Sequence, residues 1–311
     1  MSGSRSIRSF FGVVARAGAF GVAWAALATG AQAKGDVVAA EAEPLRLHAV
    51  VRDFRSMDEA AGHDDFGRYP SDLRVGLVRE TLGYNGKPVL RDASGLMVVT
   101  PYRDAEGRTI NPAWFDARLG DVAGELAPGK GTRIYSAEGF GCWFRCDPLI
   151  NAPSIVSVDL MPDAGGWVLD VARQDPYRSL GGFFPINGSL LSTGTGQETN
   201  RFFTVEIETE FERDSGEEQL LRFAADDDLW VFIDGRLVVD LGSTHARTEQ
   251  VVDLERLDWL EDGEIYQMKL FWADRGDPAA DLMIRTTLPL RTVEPIDAPV
   301  LRPMFVTAGS R

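Results

Sequence analysis

Three carboxylates in a row, Asp226-Asp227-Asp228, interrupt an apolar stretch that reads "FAADDDLWVFIDGRLVVDLGSTH" over residues 223–245. Adjacent like charges repel, and burial between core-like flanks raises the cost of ionising them. Three chemistries answer that cost. An oxygen-only cluster suits a hard cation such as calcium. Carboxylates can instead accept hydrogen bonds from the N–H groups of neighbouring loops, or the run can be a solvated acidic turn. Further polar residues stand nearby in sequence. Asp240 precedes "LGSTH" and either shares the end of the sheet or caps a turn. His245 reads as a loop histidine beside a carboxylate; a general base also needs a nucleophile or water within reach, and no Ser/His/Asp order supplies one. Asp274 and Arg275 read as ion-pairing residues at a sheet edge or as groups that orient the acidic corner. Two carboxylates can also cleave a glycosidic bond, but they must flank it at a fixed separation. Acids adjacent in sequence suit chelation better, so no catalytic residue is assigned.

The elements that hold these residues read as β-strands. "RFFTVEIETEF" (201–211) alternates, with Phe203, Val205, Ile207 and Phe211 on one face and Glu206, Glu208 and Glu210 on a solvated one. "QLLRFA" (219–224) follows a polar turn. "LWVFI" (229–233) is apolar on both faces and predicts a central strand. Asp234-Gly235 predicts a type I′ hairpin to "RLVVDL" (236–241). "LRLHAVV" (45–51), "LMVVT" (96–100), "SIVSVDL" (154–160), "GWVLDV" (166–171), "EIYQMKLFW" (264–272) and "LMIRTTL" (282–288) complete the set. Short strands separated by turn residues predict an antiparallel sandwich. One helix is expected, over 70–83, with Ser71 as cap and Gly83 as stop. Trp230 and Trp272, at period two within strands, read as core. Trp259, in the turn-like "LDWLEDGE", and Trp143 read as exposed candidates for stacking on a sugar.

The acidic segment resembles the signature of fibro-slime domain proteins, relatives of the PA14 β-sandwich. "AVVRDF" (49–54), "HDDF" (63–66), "GLV" (76–78), "GKPVL" (86–90), "GFFPING" (182–188), "NRFFTVEIETEF" (200–211) and "YQMKLFWADR" (266–275) extend the likeness over nearly all of the chain after residue 33. Three positions depart from the family's usual pattern: Ala225 stands for glycine, Gly242-Ser243-Thr244-His245 for Gly-Gly before the histidine, and Asp274-Arg275 for Glu-Arg. The resemblance implies an all-β, PA14-like antiparallel sandwich, jelly-roll-like, with its core over about 150–290. It also implies that Asp226 and Asp227 are the first choices as calcium ligands. Asp281 is a third, where PA14 lectins place a side-chain oxygen, with Asp228, Asp240, His245, Asp274, Arg275 and Trp259 around the ligand. The expected partner is a glycan or cell-surface polysaccharide; a structural matrix or slime component without a small ligand is the alternative.

Charge and targeting signals bound this reading. The chain has 311 residues and a formal net charge of −15. Such a balance repels phosphates and argues against nucleic acid. Residues 1–33 carry Arg5, Arg8 and Arg16, an apolar stretch over 17–28, and Ala31-Gln32-Ala33, and read as a signal peptide. Its removal would take the charge to −18 and leave no transmembrane span. Secretion, or a periplasmic or cell-surface location, is therefore expected. Residues 34–44 read as a flexible leader and 291–311 as a C-terminal tail. In an oxidising compartment Cys142 and Cys146, in "GCWFRC", are expected to form a disulfide.

Overall fold

The computed structural model describes residues 43–68, 71–192, 199–276 and 278–295. The chain divides into two units, Met1–Glu41 and Ala42–Arg311. Every described residue lies in the second, and the expected signal peptide lies outside the described residues.

The strands in chain order are β1 (Leu45–Phe54), β2 (Arg74–Val75), β3 (Leu96–Thr100), β4 (Glu125–Pro128), β5 (Asn151–Asp163) and β6 (Gly166–Asp170), then β7 (Phe203–Glu212), β8 (Leu220–Ala225), β9 (Asp228–Ile233), β10 (Arg236–Leu241), β11 (Thr248–Asp253), β12 (Ile265–Asp274), β13 (Leu282–Thr286) and β14 (Arg291–Thr292). Two four-residue helical turns, α1 (Ala137–Phe140) and α2 (Tyr177–Leu180), interrupt the loops. The fold is all-β, and its ladders are antiparallel. The order β10-β9-β12-β7-β1-β5 continues through β5 into β6-β13-β8-β11. The 13-residue β5 serves both halves: Leu160 still pairs with β1, and Met161 already pairs with β6.

The inward faces of the two halves share one core. Val205, Ile207 and Phe211 of β7 meet Leu221 and Phe223 of β8, Leu229 and Val231 of β9, and Ile284 of β13. A second apolar cluster lies on the other face of the β1–β7–β12–β9 region. There Trp230, Phe232 and Phe271 are covered by Phe66, Leu77, Val78, Ile134, Phe140, Trp143 and Phe144. This double cover explains why "LWVFI" is apolar on both faces. Asp234 and Gly235 have φ of 49° and 71°, the paired positive values of a type I′ turn.

The described part of the expected helix, residues 71–83, is not helical. Ser71 bridges Thr244, Arg74 bridges Gly242, Val78 bridges Leu90 and Thr81 bridges Arg236. Gly76 has φ of 76°, outside the helical region. The segment is an extended cover for the β9–β10 hairpin, so tertiary burial of Val75, Leu77 and Val78 overrides the local helix signal. The cover also changes β7. Glu206 is only 6% exposed, because Lys87 lies over it. Trp143 is fully buried rather than exposed, packed between Phe66, Phe140 and Trp230.

Candidate functional site

The acidic run is one of the links between the two halves of the sandwich. β8 ends at Ala225 and β9 begins at Asp228, so Asp226 and Asp227 alone carry the chain across the end of the core. Asp227 takes φ of 58° to make that turn, a conformation aspartate tolerates better than most residues. All three are buried, at 4%, 0% and 0% exposure.

Each carboxylate has a protein donor. Asp226 Oδ1 accepts the Asp281 N–H at 2.6 Å, while the Asp226 N–H donates to the Asp281 carbonyl at 3.1 Å. Trp272 Nε1–H holds the Asp226 carbonyl at 2.9 Å. Asp227 Oδ2 accepts the Arg275 N–H at 2.7 Å. Asp228 Oδ1 accepts the Ser243 N–H at 2.5 Å, and its Oδ2 lies 2.8 Å from Arg275 Nε. Asp274 Oδ1 accepts the Gly276 N–H at 2.8 Å. Burial pushes the Asp228 carboxyl up, and the Arg275 guanidinium beside it pulls it back.

Arg275, fully buried, is the cation of this corner. Its Nη1 donates to the Arg133 carbonyl at 2.6 Å, its guanidinium lies 5.2 Å over the Trp143 ring, and its carbonyl accepts the Gly67 N–H at 2.9 Å. Asp65, from "HDDF", acts beside it. Asp65 accepts the Tyr135 N–H at 2.6 Å and Trp143 Nε1–H at 3.3 Å. The buried charges therefore fix two loops, around 65–68 and 133–136. On them stands Tyr135, 57% exposed, with the Arg68 guanidinium 5.3 Å from its ring. Asp72 ties the second loop further, taking both Arg133 (2.7 and 2.9 Å) and Arg74. Burial pushes Asp72 up, but the two guanidinium groups outweigh it and hold the carboxyl at about 2.

The structure thus brings Asp226, Asp227, Asp228, Asp274, Arg275 and Asp281 together. Asp281 joins through its backbone, while its carboxylate turns outward to Arg247. Asp240 lies one strand away, taking the Gly76 N–H at 2.7 Å and Trp230 Nε1–H at 3.1 Å. Burial pushes its pKa up to about 7. His245 is buried, and its Nδ1 lies 2.9 Å from the Ala246 carbonyl; since a carbonyl only accepts, Nδ1 carries the proton. Burial holds the ring below its ordinary pKa, hence neutral. Trp259 is apart from all of these. It sits at the opposite end of the sheet, half-buried against Trp114 at 5.2 Å and under Arg236 at 4.8 Å. The structure does not join Cys142 and Cys146. Cys142 Sγ turns back toward the Glu138 carbonyl at 3.7 Å. Tyr135 and Arg68 were not legible, because residues 52–70 read only as polar loop and residues 90–150 carry no periodic pattern. Asp65 could have been singled out from the buried-looking "HDDF".

The corner as folded does not fit calcium. The ion needs six to eight oxygens, yet Asp226, Asp227 and Asp228 hold N–H groups or Arg275, and Asp281 holds Arg247. Among the described residues, no three His, Cys, Asp or Glu side chains are grouped to hold a metal.

No family model matches the chain. Among curated proteins it is similar to Protein psiH of Dictyostelium discoideum, 36% identical over 227 residues, covering 70% of this chain and 27% of psiH. It is also similar to Protein psiK of the same organism, 40% identical over 73 residues, covering 24% of this chain and 10% of psiK. The chain spans well under half the length of these relatives. Among solved structures, the PA14 domain of the MpAFP antifreeze protein aligns with 32% of this chain and 58% of its own, at 12% identity and a TM-score of 0.23. Among the described residues no helix is long and apolar enough to cross a membrane.

Proposed function

We propose that this chain is an exported, non-catalytic recognition module that binds carbohydrate or mediates adhesion, of the PA14-related, fibro-slime kind that its motifs resemble. The observation that supports this is the fixed exposed pair Tyr135 and Arg68, held from below by Asp65, Arg133 and Arg275. An aromatic face with a cation beside it, on loops that do not need ordering, suits a sugar ring at low entropic cost. The carboxylates beneath serve the scaffold, and recognition proceeds without a resident calcium ion. A cavity of about 880 Å³ opens at the other end beside Trp167, Glu217 and Glu218. It is a broad open groove, and it supplies the control.

A glycan array probed with the 34–311 protein tests the reading. Tyr135→Ala and Arg68→Ala should each weaken binding about tenfold with no change in melting temperature. Trp167→Ala should bind as the unaltered protein does. Loss in Trp167→Ala alone moves the site to the groove. An array without signal replaces this reading with the matrix-component one. Export is tested by fractionation, which should recover protein outside the cytosol beginning at Lys34.

A further inference from the structure

A second charged site lies on the outer face of β1, β7 and β12, away from the acidic corner. β1 sets Val50 and Arg52 on that face, β7 sets Glu206 and Glu208, and β12 sets Lys269. The loop carrying Asn85 and Lys87 lies over them, so close that a Cβ on Gly86 would come 3.1 Å from Lys269 Nζ. A cavity of about 200 Å³ remains, lined by His48, Arg52, Lys87, Glu206, Glu208 and Lys269.

The donors and acceptors around it do not balance. Arg52 is 1% exposed, and its Nη2 donates to Glu206 Oε2 at 2.9 Å. Its Nε and Nη1 are buried without a partner. Lys87 also sits on Glu206, and Lys269 lies 3.0 Å from Glu208. Three fixed cations thus face two carboxylates, while His48 lies 3.3 Å from the exposed Glu294. A buried guanidinium with two idle N–H-bearing nitrogens is costly, and the cost points to a missing acceptor. Arginine and lysine together suit a planar or tetrahedral oxyanion.

We propose that this cavity binds a small oxyanion, a carboxylate or a sulfate, carried on an acidic sugar. The anion site stands on the geometry of Arg52, Lys87 and Lys269 alone; only the sugar as its carrier rests on the recognition reading above. One anion removes the excess positive charge and gives Arg52 Nε or Nη1 its acceptor. A neutral sugar offers neither.

Thermal melting and calorimetric titration at constant ionic strength test it, with glucuronate, sodium sulfate, acetate and glucose as probes and sodium chloride as balance. Glucuronate and sulfate should raise the melting temperature saturably, and glucose should not. Lys269→Gln, at the cavity rim, should fold normally and weaken glucuronate about tenfold. Arg52→Met should abolish binding; if it fails to fold, Lys87→Gln replaces it. Glucuronate binding tighter than acetate identifies the sugar as carrier. Acetate or sulfate binding as tightly as glucuronate overturns the carrier. No saturable shift with any anion, or shifts that survive Lys269→Gln and Arg52→Met, overturns the site and leaves the cavity to water. Glucuronate binding that survives Tyr135→Ala separates this site from the Tyr135 surface, so either can fail without the other.

Discussion

Arg275 does at the acidic corner what an external cation would otherwise do. It is fully buried and reaches Asp227 through its N–H, Asp228 through Nε, and the Arg133 carbonyl through Nη1. Removing one partner of a buried pair leaves the other charge uncompensated, at about 3–5 kcal/mol. Arg275→Met should therefore melt far below the unaltered protein. Arg275→Lys should also lose stability, since a point charge cannot span Asp228 and Arg133 at once; a variant melting at the normal temperature would remove Arg275 from this role. Asp240 gives a pH signature. Its folded pKa, about 7, lies above the ordinary 3.8 because burial disfavours the charged form. The folded state therefore binds this proton more tightly than the unfolded chain. Stability is greatest below the ordinary value and falls as pH rises toward about 7, by at most about 1.4 kcal/mol per pH unit. Asp240→Asn should flatten that slope in chemical denaturation between pH 4 and pH 7. A slope unchanged in the variant would assign the dependence elsewhere.

At the scale of elements, the β8–β9 link and the β9–β10 hairpin place the site. The hairpin was legible because Asp-Gly needs no tertiary information: both positions require positive φ, which those residues tolerate. Gly235→Val puts a β-branched residue at φ of 71° and should cost about 1–3 kcal/mol, read as a lower urea midpoint. A midpoint equal to that of the unaltered protein would contradict the turn. β7 was legible from alternation, and β9 from an apolar run bounded by the acidic triplet and the Asp-Gly turn. Residues 70–83 misled because their apolar residues serve a neighbour: Leu77 and Val78 fill the second cluster over Trp230, and nothing local announces that partner. Glu206 misled for the same reason, since alternation marks a face as polar but not whether a loop covers it. At the site, the triplet was legible as a corner, and so was its company of Asp274, Arg275 and Asp281. Their wiring was not, because which oxygen takes which N–H depends on loop paths that composition does not encode.

Over the whole molecule, the long strand β5 runs through both halves, the two-residue acidic link is one of several places where the chain crosses between them, and a cover of loops gives the β9 face a second core. Two ends and a flank are available for contact: Tyr135 and Arg68 above the acidic corner, the groove beside Trp167, and the Arg52 cavity. The central claim is that the carboxylates at the first of these take N–H donors and the Arg275 counter-charge from the protein itself. Melting of the 34–311 protein in millimolar calcium and in chelator tests it most directly, because a ligand bound by the folded state alone raises its stability by mass action. Equal melting temperatures are predicted, with Asp226→Asn, Asp227→Asn lowering both alike. A melting temperature several degrees higher in calcium, with the gain abolished in that double variant, would contradict the account and make the corner a calcium site.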